Sequence, residues 1–289
     1  MLGLYNTCPF KLLQALFVGA CHKKIRIIGL AKFHFKNILY CFFYNHFGYY
    51  RQLVVFKKSD YSKEEYKQGV RKKHYGKEGW KKEKKNGILY RDYSDYDEYV
   101  SHQKVKLDEM IAFKGGFSKR DIIEYRLKFF KRFHKVPRYL PWNASILCLG
   151  ARQGTEVEVL RDLGFGAAQG IDLNPGPGNP WVKPGDFMAI AEPDHSVDMI
   201  YSNAVDHAFN LESFFKESAR VVKLEGYAMY DLSVQTSAQG GGGPFEAVEW
   251  DSEEKIFQLM LKYFKQVIHV ETETAWKVVL LKGPIIDQT

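Results

Sequence analysis

The 289-residue sequence predicts an α/β fold with a mostly parallel sheet, a closing antiparallel hairpin and a helical, basic extension ahead of the sheet. Three observations carry that expectation. Residues Ala144 to Asp172 read as strand, glycine turn, helix and strand, with Gly150 and Gly154 in the turn and Val157, Leu160 and Leu163 on one helical face. Apolar runs at Val197 to Tyr201 and Tyr227 to Leu232 flank an amphipathic stretch from Leu211 to Val222, a strand–helix–strand alternation. The β-rich runs Gln266 to Glu271 and Trp276 to Lys282 are separated only by Thr272 to Ala275. Parallel strands need a long crossover, so this short connection requires an antiparallel pair.

Three segments are expected: a basic, aromatic-rich extension at 1–89, a helical segment at 90–143, and the sheet domain at 144–289. Phe10 to Cys21 is apolar but too short for a membrane span and poorly basic for a leader, so no transmembrane segment is expected. Lys23 to Phe56 interleaves cations with phenylalanine and tyrosine, and Lys57 to Lys85 is dominated by lysine. Cys8, Cys21, Cys41 and Cys148 show no zinc or disulfide spacing. That pattern predicts no metal site, free thiols and a reducing, cytoplasmic compartment.

Residues 1–143 hold 31 Lys and Arg against 13 Asp and Glu, whereas 144–289 hold 11 against 21. The overall +8 therefore conceals two opposed halves. The basic half would favour an anionic partner, with nucleic acid, a phosphorylated sugar and an anionic membrane surface as candidates; a solvated basic face is the plainer alternative.

Asp95 with Glu98 has capping-box spacing, and Tyr99, Gln103, Leu107 and Met110 then recur along one helical face. Gly115-Gly116 ends that helix. Ser118 with Asp121 opens a second, with Ile123, Leu127, Phe130 and Phe133 expected inward and Lys128, Lys131 and Arg132 elsewhere. Pro137 and Pro141 precede the first strand of the sheet domain.

The turn Gly150-Ala151-Arg152-Gln153-Gly154 brings backbone amides and a helix start to a sheet edge. Asp172 ends the next strand about 20 residues on, where a carboxylate can accept from a ribose diol. Both a nicotinamide dinucleotide and S-adenosylmethionine are bound by such a unit. Asn174 to Gly185 is too rich in Pro and Gly for a regular crossover helix. Gly185-Asp186-Phe187, then Val197 to His207 and Arg220 to Leu232, complete the series. Ser252 to Phe264 is expected as a helix, and four glycines at 240–243 as a mobile loop at the carboxyl edge of the sheet.

In the order and spacing of these motifs the chain resembles the class I S-adenosylmethionine-dependent methyltransferases over about residues 144–283. Their first motif is (D/E)-x-G-x-G-x-G. Cys148 stands here at its acid and Arg152 at its middle glycine. The resemblance implies a Rossmann-like, seven-stranded sheet and S-adenosylmethionine as cofactor. It implies a cofactor site made by Gly150, Ala151, Arg152, Gly154, Asp172, Leu173, Asp186, Phe187 and Asn203, with Asp186 near the adenine amine and Phe187 against the ring. His207 is the candidate general base and Asp206 its alternative or an acceptor orienter. The segment before the first strand often covers the pocket in this family, which makes Tyr93, Tyr96, Tyr99 and Gln103 candidate acceptor contacts.

The acceptor is an unidentified O or N nucleophile. The chain lacks the (D/N)PP(Y/F) run of many nucleic-acid amino methyltransferases. The competing readings are a catalytically silent binding relative and an NAD(P)-dependent oxidoreductase; the hairpin and the missing G-x-G-x-x-G oppose the latter.

Overall fold

A computed structural model describes residues 85–104, 119–175, 180–233, 245–273 and 276–285. They all belong to the second of the two units into which the chain divides, Ser59–Thr289. The readings placed on 1–84, on Leu107, Met110, Gly115-Gly116 and Ser118, and on the glycine run 240–243 lie outside the described residues.

The element order is β1 (Ile88–Tyr90), α1 (96–104), α2 (Lys119–Phe133), β2 (Ile146–Leu149), α3 (Thr155–Asp162), β3 (Gln169–Asp172), β4 (Val182–Pro184), β5 (Val197–Ser202), α4 (Leu211–Val221), β6 (Val222–Ser233), β7 (Val248–Trp250), α5 (Glu253–Met260), β8 (Phe264–Thr272) and β9 (Trp276–Pro284). Seven strands form one sheet in the order β4-β3-β2-β5-β6-β9-β8. Neighbours from β4 to β6 pair in parallel, while β9 runs antiparallel to both β6 and β8. The hairpin forced by the short 273–275 connection is thus realised, with β9 inserted between β6 and β8.

Strand alternation divides the core between the two faces. Leu147, Leu149, Ile200, Tyr230 and Leu232 pack with Phe214 and Phe215 of α4 and with Ile256 and Met260 of α5. Ile146, Cys148, Met199, Tyr201 and Met229 pack with Phe129 and Phe133 of α2 and with Val157 and Leu160 of α3. Burying each such large side chain contributes about 1.5–3 kcal/mol.

Four elements depart from the expected reading. The β1 segment pairs antiparallel with β7 in a small second sheet, so the expected segment boundary at 89/90 falls inside a strand. The strand expected from Tyr227 begins already at Val222, and β6 slips register against β5 between Val197 and Met199. Gly226 permits that slip, because a Cβ there would lie 2.8 Å from the Asp198 carbonyl oxygen. The α5 helix stops at Met260, and Phe264 already begins β8.

The fourth departure is the orientation of α2. Leu127 and Phe130 are 61% and 52% exposed, whereas Phe129, Arg132 and Phe133 point inward. Arg132 enters the core because acids await it there. Its Nε lies 3.2 Å from Asp231 of β6, and its Nη1 donates to Glu273 at 2.6 Å. Lys128 joins the group 3.1 Å from Asp231, with its ammonium 3.7 Å from the centre of the Trp276 ring. The hydrogen bond from Arg132 holds the Glu273 carboxyl below its ordinary range. Among the described residues no helix is long and apolar enough to cross a membrane.

Candidate functional site

The carboxyl ends of β2, β3 and β5 meet at one edge, and the residues after them make the site. At the end of β2 the chain turns through three left-handed residues: Gly150 (φ 73°), Arg152 (φ 41°) and Gly154 (φ 71°). Gly150 is required on two counts, since a Cβ there would stand 2.8 Å from the Ala204 Cβ in addition to the positive φ. Arg152 occupies the conformation for which the resembled motif uses its middle glycine, a placement that costs a non-glycine residue about 1–2 kcal/mol.

The turn spends most of its amides internally. The N–H groups of Gly150 and Ala151 both donate to the Ile171 carbonyl, at 2.9 and 3.0 Å, and that of Gly154 donates to the Ala151 carbonyl. The turn therefore offers close backbone approach more than a row of open donors, a correction to the sequence expectation. The remaining specificity falls on Asp172. Its Oδ2 accepts from the Arg152 N–H at 2.9 Å and its Oδ1 from the Asn174 N–H at 2.8 Å. An ionised carboxylate has about four lone-pair sites, so two amides fix Asp172 and leave capacity for a diol. Leu173 follows it, half-buried.

Asp186 lies two residues beyond β4, and its Oδ1 accepts from the Met188 N–H at 2.8 Å. Tyr96 of α1 donates its hydroxyl to Asp186 Oδ2. Phe187 is buried rather than open to a pocket. Its ring stands edge-on to Phe214 at 5.1 Å and supports the turn beneath Gly150. At the end of β5, Ser202 Oγ ties the edge together by donating to the Leu149 carbonyl and accepting from the Ala204 N–H. Asn203 is half-buried there.

Asp206 and His207 lie in a short helical turn, Val205–His207, directly after this edge. The Asp206 Oδ2 accepts from Ser233 Oγ at 3.1 Å. His207 Nδ1 is 2.8 Å from the Phe245 carbonyl, which can only accept, so Nδ1 carries the proton and the basic lone pair is on Nε2. Asp206 Oδ1 stands 3.8 Å from that Nε2, too long for a hydrogen bond.

The candidate acceptor contacts divide. Tyr99 is fully buried and donates to the His207 carbonyl at 3.0 Å, which makes it a brace for the strand-end loop. Gln103 Nε2 donates to the same Phe245 carbonyl that orients His207, at 3.0 Å. Tyr96 is more than a third exposed and remains at the surface of the site. Phe209 gathers Tyr93, Tyr96 and Tyr99 around it with ring centres 5.3–5.9 Å apart, and the Tyr93 hydroxyl is 2.7 Å from His102 Nδ1. The α1 helix that carries Tyr96, Tyr99 and Gln103 starts as Asp95 predicts, with the Glu98 N–H donating to Asp95 Oδ1 at 2.8 Å.

Glu156, on the first turn of α3 and only 5% exposed, belongs to none of the sequence motifs. Burial, with the nearby Asp172 charge, pushes its carboxyl up to about 8. Helical spacing does carry a signal for it, since Glu156 precedes the buried Leu160 by one turn and so shares its face. Burial and the Glu156 charge likewise push the Cys148 thiol up.

Residues 147–230 match the family model of a methyltransferase domain. No curated protein matches the sequence. Among solved structures, the chain is similar to a Burkholderia thailandensis 1,6-didemethyltoxoflavin-N1-methyltransferase bound to 1,6-didemethyltoxoflavin and S-adenosylhomocysteine. The two share 10% identity over 68% of this chain and 95% of that one, with a TM-score of 0.51, a likeness of fold. A Thermotoga maritima S-adenosylmethionine-dependent methyltransferase aligns at 15% identity over 64% and 98% of the two chains, with a TM-score of 0.46. The matched stretch, which holds the glycine turn and runs from β2 into β6, thus corresponds to a methyltransferase domain on a Rossmann-like, mostly parallel sheet.

Proposed function

We propose that the protein uses S-adenosylmethionine to methylate an oxygen or nitrogen acceptor at the edge formed by β2, β3 and β5. The observation that carries this reading is Asp172, clamped by two backbone amides beside a left-handed glycine turn. Its oriented carboxylate suits a ribose diol, and Asp186 adds a second acid at the same edge. These residues fit the cofactor, and Gly150, Ala151, Arg152, Gly154, Leu173 and Asn203 would border it. When bound, S-adenosylmethionine supplies a methyl group on a positively charged sulfur.

The chain itself contributes alignment and, for a weakly nucleophilic acceptor, proton removal. His207 Nε2 is the group that takes the proton, because Nδ1 is tied to the Phe245 carbonyl. Tyr96 faces the acceptor side, while Tyr99 and Gln103 hold the His207 loop in place through backbone carbonyls.

A screen with isotopically labelled methyl donor against RNA, DNA, glycans, lipids and metabolite extracts tests the reading and finds the acceptor. Once an acceptor is in hand, His207→Ala should lose roughly 10²–10⁴ in turnover with cofactor affinity retained. Its residual rate should rise with pH as the acceptor ionises unaided. Full activity with an unchanged pH profile would remove His207 from the base role.

A further inference from the structure

Away from the cofactor edge, a cleft of about 530 Å³ lies between β1, the start of α4 and α5. Small-ligand sites run from roughly 300 to 1,000 Å³, so the cleft has the size of one. None of Gly150, Asp172 or Asp186 lines it. The cleft is lined by four cations, Lys85, Arg91, Lys255 and Lys262, against one carboxylate, Glu212. Lys262 stands 3.6 Å from Glu212. Arg91 is only 3% exposed, and its Nε donates to the Glu246 carbonyl at 2.9 Å, so the guanidinium is fixed in the wall.

Three aromatic side chains, Tyr90, Tyr93 and Phe209, also line the cleft. We propose that this cleft binds a small ligand carrying a phosphate on an aromatic or heterocyclic ring, at a site separate from the cofactor edge. A fixed guanidinium with exposed lysines lining the same cleft suits a doubly charged oxyanion, and the ring walls suit a planar body. The two sites are one layer of rings apart. Tyr93 and Phe209 pack on Tyr96 and Tyr99, whose hydroxyls reach Asp186 and the His207 carbonyl.

The test uses phenyl phosphate, which cannot imitate adenosine, titrated calorimetrically into the full chain at low salt with and without saturating S-adenosylhomocysteine. Saturable one-to-one binding is expected. It should weaken by roughly tenfold or more in the exposed double variant Lys255→Glu/Lys262→Glu and for neutral phenol in place of phenyl phosphate. S-adenosylhomocysteine and the Asp172→Ala change should alter it by less than about twofold, as expected of sites without shared residues. No saturable binding to the parent, equal binding to the double variant, or displacement by S-adenosylhomocysteine would each overturn the proposal. The last outcome would assign the phosphate to the cofactor edge and leave the methyltransferase reading intact.

Discussion

Replacing Glu156 by Gln should change how stability depends on pH, and the size of the change follows from the burial of this one carboxyl. In the folded chain Glu156 keeps its proton up to about pH 8, against an ordinary value of 4.5. Between those limits the unfolded chain has released the proton and the folded chain has not, so stability falls as pH rises through the window. At about 1.4 kcal/mol per pH unit, the full window is worth about 5 kcal/mol, a large part of the stability of an ordinary domain. The stabilising contribution is complete below pH 4.5 and gone above pH 8. Arg152 and Lys128 oppose the effect by favouring the ionised form, while Asp172 reinforces it. Asp198, Glu217, Glu271 and Glu273 are all shifted downward, so their losses fall at more acid pH and do not overlap. Urea unfolding at fixed pH from 5 to 9 reads the difference between Glu156→Gln and the parent. The variant should gain steadily on the parent up to about pH 8.5 and level off. Two curves that stay parallel across this range would show that Glu156 ionises freely, and the placement of α3 against β3 would have to be revised.

Three other outcomes follow from the same geometry. Asp231→Ala leaves Arg132 in the core with only Glu273 opposite, and should cost about 3–5 kcal/mol by denaturant unfolding; a loss under about 1 kcal/mol would deny that the pair is buried. Tyr99→Phe removes one hydrogen bond to the His207 carbonyl and should lower stability by about 0.5–1.5 kcal/mol, with S-adenosylhomocysteine affinity unchanged by calorimetry. Gly150→Ala combines a left-handed φ with a clash against Ala204 and should lower the melting temperature and weaken cofactor binding together; an unchanged melting temperature would contradict the turn geometry.

The sheet was legible in the sequence because its signals are local. Strand alternation, the glycine turn and the short 272–275 connection each constrain a neighbouring stretch, and together they yield a hairpin strand inserted beside parallel neighbours. What escaped depends on partners far along the chain. Periodicity put Leu127 and Phe130 inside, yet Arg132 took the inward place because Asp231 and Glu273, 99 and 141 residues later, supply its counter-charges. Likewise Ile88–Tyr90 is too short to declare itself a strand until Val248–Trp250 pairs with it. At the site, the sequence marked the residue types but not their division of labour. Tyr99 and Gln103 read as acceptor contacts, whereas Tyr99 is buried and both side chains donate to backbone carbonyls as braces.

The central claim, that the edge beside Asp172 holds S-adenosylmethionine, is tested most directly by titrating S-adenosylhomocysteine into the parent chain and into Asp172→Ala. The account predicts one site in the parent and a loss of about 1.5–3 kcal/mol in the folded variant, roughly 10- to 150-fold in Kd. Equal affinity in both chains, or no binding to the parent where NAD binds instead, would contradict it.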